Sequence, residues 1–153
     1  MLEKNIVIAA AAILASACAT VPMENKDASN RAKLFNAPSP GQAGLYIFRG
    51  GGPGGALKKD IRVDGTCLGE SAPKVFFFTE VAGNREHTLS TESEFSANDL
   101  KLVTQSGKNY FVQQSMKMGV FVGGAKLTVV DESEGKQSVQ KLEMAAKGPC
   151  TSQ

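Results

Sequence analysis

Apolar residues in this chain follow two patterns. Near the start they form one unbroken run, "IVIAAAAIL" at residues 6–14, and from residue 44 onward they come in short stretches broken by polar residues and turn formers. "GLYIFR" (44–49) is apolar on both faces, the pattern of a central strand, whereas "DIRVD" (60–64) alternates and sets Ile61 and Val63 on one face. Asp64-Gly65 follows as a tight-turn signal. In "KVFFFTEV" (74–81), Val75, Phe77 and Val81 share one face while Phe76 and Phe78 share the other, so both sides of this strand are expected to meet apolar neighbours. "EHTLSTE" (86–92), "NDLKLVT" (98–104), "KNYFVQQSM" (108–116) and "VFVGGAKLTVVD" (120–131) continue the series, the last with Gly123-Gly124 marking a bulge or kink. Gly, Ser and Asn interrupt these stretches roughly every ten residues, which predicts an all-β, mainly antiparallel β-sandwich of about seven strands at residues 43–147.

After Asp131 the period changes. In "DESEGKQSVQKLEMAAKG", Asp131 and Glu134 have capping-box spacing, Val139, Leu142 and Ala146 fall on one helical face, and Gly148-Pro149 marks the end. One short C-terminal helix is therefore expected to pack on the sheet, followed by a tail at 148–153. No internal repeat is visible.

The first apolar run has a different meaning. It follows "MLEKN", which carries one lysine and the terminal amine, and at nine residues it falls well short of the roughly 20 needed to span a bilayer. Residues 1–17 thus read as a secretory signal peptide. Ala15-Ser16-Ala17 is a small-x-small cleavage signal; followed by Cys18, it also resembles the lipobox of bacterial lipoproteins, with Ala15 where leucine is usual and Leu14 one step further back. Lipidation of Cys18, with palmitate among its acyl chains, leaves Cys67 and Cys150 as an even pair expected to form a disulfide; otherwise these two are free thiols. Ala19, where an aspartate would favour inner-membrane retention, implies by the same resemblance a lipid anchor in the outer membrane. Residues 18–42 are polar, with prolines at 22, 38 and 40, and read as a flexible tether in which "DASNRAKLF" forms one or two helical turns.

Composition narrows the field mainly by exclusion. Hydrophobic content of 42% supports a folded domain, and 17 Lys+Arg against 15 Asp+Glu give no basic stripe of the kind that nucleic-acid binding requires. Removal of the leader takes Glu3 and Lys4 together and leaves that balance unchanged.

Taken in order, "AGLYIFR", "IRVDGTCLG", "FFFTEVAGNREHTLST", "GKNYFVQQSMKMG" and "AKLTVVDESEG" resemble a bacterial lipoprotein family catalogued as domain of unknown function 2846, over residues 43 to about 147. The hairpin and the run ending in His87-Thr88-Leu89 are also similar to transthyretin-like and carboxypeptidase-regulatory-like β-sandwiches, although "AGNREH" lacks the proline usual before that histidine. The resemblance implies a fold and an envelope address, with no activity attached.

His87 is the single histidine, so any Ser-His or Cys-His mechanism must use it as base, with Cys67 as the sole thiol partner on the body, and a disulfide closes that route. One histidine and two distant cysteines offer no zinc spacing, and Asp60, Asp64 and Glu70 are not spaced as a calcium loop. No cofactor is expected. "RGGGPGGALKK" (49–59) has five glycines but no Gly-Lys-Ser/Thr opening a helix, so it reads as a connection between strands. Met116, Met118, Val120 and Phe121 form a candidate patch for an envelope protein partner, against the plainer account of strand core. The resulting expectation is a non-enzymatic, lipid-anchored interaction or structural module, facing either the periplasm or the surface. The alternatives are a soluble periplasmic protein binding a small ligand in the sandwich mouth and, more remotely, a hydrolase using His87.

Overall fold

The computed structural model describes residues 20–92, 98–117 and 124–151. The chain enters through helix α1 (Lys26–Ala32), then strands β1 (Gln42–Arg49), β2 (Lys59–Val63), β3 (Thr66–Ser71), β4 (Val75–Ala82), β5 (Glu86–Thr91), β6 (Asn98–Val103), β7 (Asn109–Lys117) and β8 (Gly124–Val130). Helix α2 (Glu132–Gln140) and a two-residue strand β9 (Glu143–Met144) follow. One sheet has the order β8-β7-β1-β4-β9 and the other β3-β2-β5-β6. The described residues thus hold nine strands, two more than the sequence pattern predicts, because β3 and β9 count separately. The expected mainly antiparallel character holds with two exceptions: β1 runs parallel to β7, and β4 parallel to β9.

The double-sided apolar pattern of β1 and β4 accounts for a three-layer body. Leu45, Ile47, Val75 and Phe77 face inward and join Ile61, Leu68, Leu89, Leu102 and Val112 in the core between the sheets. Tyr46, Phe48 and Phe76 face outward and, with Phe111, Val139 and Leu142, build a second core beneath the helices. Tyr46 stacks on Phe111 at 5.0 Å between centroids, and Phe35 meets both rings edge-on. Gly135 of α2 lies so close over the Phe111 ring that a side chain there would collide with it. Burial pushes the Tyr46 phenol up to about 12, with Glu80 adding to the shift, and its hydroxyl donates to the Ala32 carbonyl at 2.9 Å.

At the turns, side chains act as the sequence predicts. Asp64 and Gly65 both have positive φ, 50° and 78°, the mirror-image turn that Asp-Gly favours between β2 and β3. Asp131 caps α2 by accepting from the Glu134 amide at 2.9 Å.

Two expectations are corrected. The C-terminal helix stops at Gln140 instead of continuing through Ala146. Beyond it, Glu143 and Met144 pair with Val75 and Phe76, and the Ala145 amide donates to the Phe76 carbonyl at 2.8 Å. The free edge of β4 captures this backbone, while Leu142 still reaches the same core as Val139. Likewise, residues 20–41, expected to belong to a flexible tether, are docked on the body. Met23 bridges Ala145, the Glu24 amide donates to the Met144 carbonyl, and the Ala146 amide donates to the Pro22 carbonyl, both at 2.9 Å. Ser29 of α1, fully buried, donates to Glu143 at 2.8 Å and accepts from the Met144 amide at 3.0 Å. The one or two helical turns expected in this segment are α1 itself. Composition signalled a linker because the apolar anchors are few, Val21, Ala32 and Phe35, and backbone pairing supplies the rest.

Candidate functional site

Strand direction sorts the connections into two ends. At one end lie the β2–β3 and β4–β5 turns; at the other lie the β1–β2 connection, the β3–β4 turn, the ends of β5 and β7, and the start of β8. This second end gathers the glycine-rich loop and Met116. They border a pocket of about 170 Å³ whose walls are Arg49, Gly50–Gly52, Pro53, Pro73 and residues 113–116.

Arg49 organises that pocket. It ends β1 with 3% of its surface exposed, and its guanidinium donates to the carbonyls of Leu57 at 2.7 Å, Gly54 at 2.8 Å and Ser71 at 3.4 Å. Burial lowers its basicity below the ordinary arginine value. The glycine-rich segment is thus folded around a buried cation and leads from strand to strand, as the absence of a phosphate-loop signature predicts. Behind it runs a buried polar chain. Ser71 donates to Gln114, Gln114 Nε2 donates to Thr91 Oγ1 at 2.8 Å, and Thr91 donates to the Asp60 carbonyl at 2.8 Å. This chain ties the two sheets together through hydrogen bonds in an otherwise apolar interior, where unsatisfied polar groups cost about 1–3 kcal/mol each.

Of the predicted partner patch, Met116 is half-buried against Gly54 at the pocket rim. Met118, Val120 and Phe121 lie outside the described residues, as does Cys18. Cys67 and Cys150 are brought together, with sulfurs 1.97 Å apart and Cα atoms 5.8 Å apart. Their bond fastens the C-terminal strap to β3, and the Thr151 amide donates to buried Asp60 at 3.0 Å alongside it.

His87 sits at the opposite end, 3% exposed. Its Nδ1 lies 2.6 Å from the Asp64 carboxylate, and Nε2 donates to the Ala82 carbonyl at 2.7 Å. A Ser-His-Asp arrangement would turn Nε2 to its nucleophile. Here that nitrogen is engaged with the backbone, and the ring joins the β2–β3 turn to the end of β4. The hydrogen bond from His87, followed by that from the Thr88 amide, holds the Asp64 carboxyl below its ordinary value. The stabilisation from this carboxylate is therefore present above the unfolded carboxylate range and disappears as pH falls through the lower folded value. Asp64→Asn keeps an acceptor for Thr88 but removes the charge, so wild type is expected to be the more stable at pH 7, and the gap to close below about pH 4. Urea titrations of both proteins across that range check it; a gap independent of pH contradicts the assignment.

Among the described residues, no group of three or more His, Cys, Asp or Glu side chains is placed to hold a metal. Nor is any described helix long and apolar enough to cross a membrane. Arg49 and Gln114 are not among the residues the sequence pattern singles out. An arginine closing a two-sided apolar strand is the available signal for the first, whereas the second depends on pairings made only in the fold.

These features define a two-sheet β protein with helices on one outer face, a disulfide strap, and a polar pocket at one loop end. The chain belongs to the DUF2846 family of proteins of unknown function, whose profile matches residues 39–125. That span holds β1 to β7 and the start of β8, and leaves α1, α2 and the strap outside. A curated relative, an uncharacterized protein of Haemophilus influenzae, is 55% identical over 134 residues, covering 88% of this chain and 79% of the relative. No solved structure matches the chain.

Proposed function

We propose that this chain is a non-enzymatic lipoprotein of the bacterial envelope, held in the outer membrane by acyl groups on Cys18, and that it acts as an interaction or structural module. The cysteine pairing carries this reading. With Cys67 and Cys150 joined, Cys18 is the odd one of the three cysteines in the sequence, and it follows directly on the Leu14-Ala15-Ser16-Ala17 stretch at the end of the apolar run. A two- or three-chain anchor is enough to hold a domain of this size at a bilayer. The binding end is the loop end, where Arg49, the glycine-rich segment and Met116 converge on one pocket, since recognition concentrates on loops that a rigid sandwich positions.

Growth with labelled palmitate tests the anchor. Label is expected on the wild-type protein and its loss on Cys18→Ser, while an unlabelled wild type overturns the reading in favour of a soluble periplasmic protein cut after Ala17. That second reading draws on the same pocket, which would take a small ligand between the glycine-rich segment and residues 113–116. The kinship with transthyretin-like sandwiches belongs to this proposal too, and an experimental structure tests it through the strand order around β1.

A further inference from the structure

The docking of residues 20–24 limits how far the body can stand from its anchor. Val21 packs against the inter-sheet core, and residues 22–24 are hydrogen-bonded to 144 and 146 on the strap. Only Ala19 and Thr20 separate Val21 from Cys18. Three Cα–Cα steps of about 3.8 Å then keep Cys18 within about 11 Å of Val21, against the several tens of ångströms that a free 18–42 tether would span.

We infer that the strap side of the sandwich is held against the bilayer surface and that the loop end is displayed away from it. This rests on the lipid anchor proposed above. The direction follows from the pairing. Residues 21–24 run antiparallel to 143–146, and β9 runs parallel to β4, so on going back from Glu24 toward Cys18 the chain heads for the end opposite the pocket. Where the leash leaves the body, Lys147 donates to Thr79 at 3.0 Å, and Thr79 pairs with Leu45. Arg49 lies four residues further along β1, about 13 Å away along the strand, with the glycine-rich loop beyond it.

Met23, 46% exposed, and the exposed Lys147 and Pro149 lie on the bilayer-facing side. The charges around them are mixed, with Lys26 and Lys147 against Glu24 and Asp27. Proximity is thus imposed by the leash, and it survives salt that screens surface charge beyond about 10 Å.

The test uses the full-length lipidated protein, isotope-labelled, in nanodiscs containing a small fraction of gadolinium-headgroup lipid. Amides of Met23, Thr79 and Lys147 are expected to broaden several-fold more than those of Gly52 and Lys59, with the gradient unchanged by added salt. A Gly/Ser spacer of about twelve residues inserted between Thr20 and Val21, with a coil reach of about 20 Å, is expected to flatten the gradient while the protein stays on the discs. Disc-bound wild type with uniform broadening overturns this inference alone. Absence of acyl mass on Cys18, with no disc binding, overturns the anchor and this inference together.

Discussion

Replacing Cys67 and Cys150 together by alanine is expected to remove about 4.5 kcal/mol of stability, the chain-entropy value for a cross-link closing a loop of 83 residues. Domains of this size are stable by about 5–15 kcal/mol, so the variant should lie near the edge of folding at 37 °C. The strap explains why the loss should be global. Residues 145–151 run from the β4 edge of one sheet to the β3 edge of the other, through the Gly148 amide on the Leu68 carbonyl and the Thr151 amide on buried Asp60. Freed from the disulfide, those hydrogen bonds must hold the strap alone, and its fraying exposes Asp60 and the edge of β3. Urea denaturation of the oxidised, reduced and double-alanine proteins provides the measurement. The last two should share a midpoint well below the first, and three coincident midpoints would refute the account.

Phe111→Ala is the second large effect, expected at about 3–5 kcal/mol. The ring is fully buried, stacked on Tyr46, met edge-on by Phe35 and covered by Gly135. A residue between sheet and helix cannot be replaced by collapse from one side, because β7 is pinned between β1 and β8. Loss should therefore show first as detachment of the helical layer. Hydrogen exchange at α2 and α1 is expected to accelerate more than exchange at β2 and β5, and Phe111→Leu should restore most of the stability. Equal acceleration in both layers would mean that the two cores unfold as one unit.

The two cores also show which parts of the fold the sequence discloses. Consecutive apolar residues in 44–49 and 74–81 announce apolar neighbours on both faces, and the Asp64-Gly65 turn and the Asp131 cap are local chemistry that reads directly from nearby residues. The bounds of α2 and the docking of residues 20–41 are not local. Leu142 and Ala146 satisfy a helical period, yet an unpaired strand edge some seventy residues earlier in the chain competes for the same backbone. At the candidate site the glycine-rich loop and Met116 stood out by composition. Their convergence on Arg49 depends on the parallel pairing of β1 with β7, which no short-range pattern encodes.

That pairing bears on how the protein is made. β1 lies between strands that begin at Val75 and Asn109, and the Met23 bridge waits for Ala145. As the chain is synthesised, the most apolar strand emerges early, waits for residues 75–82 to gain its first neighbour and for residues 109–117 to gain its second. Such late-closing topologies fold slowly and leave sticky segments unprotected in the meantime. The protein is therefore expected to depend on a holding chaperone through most of its synthesis, and to become protease-resistant in one late step rather than progressively.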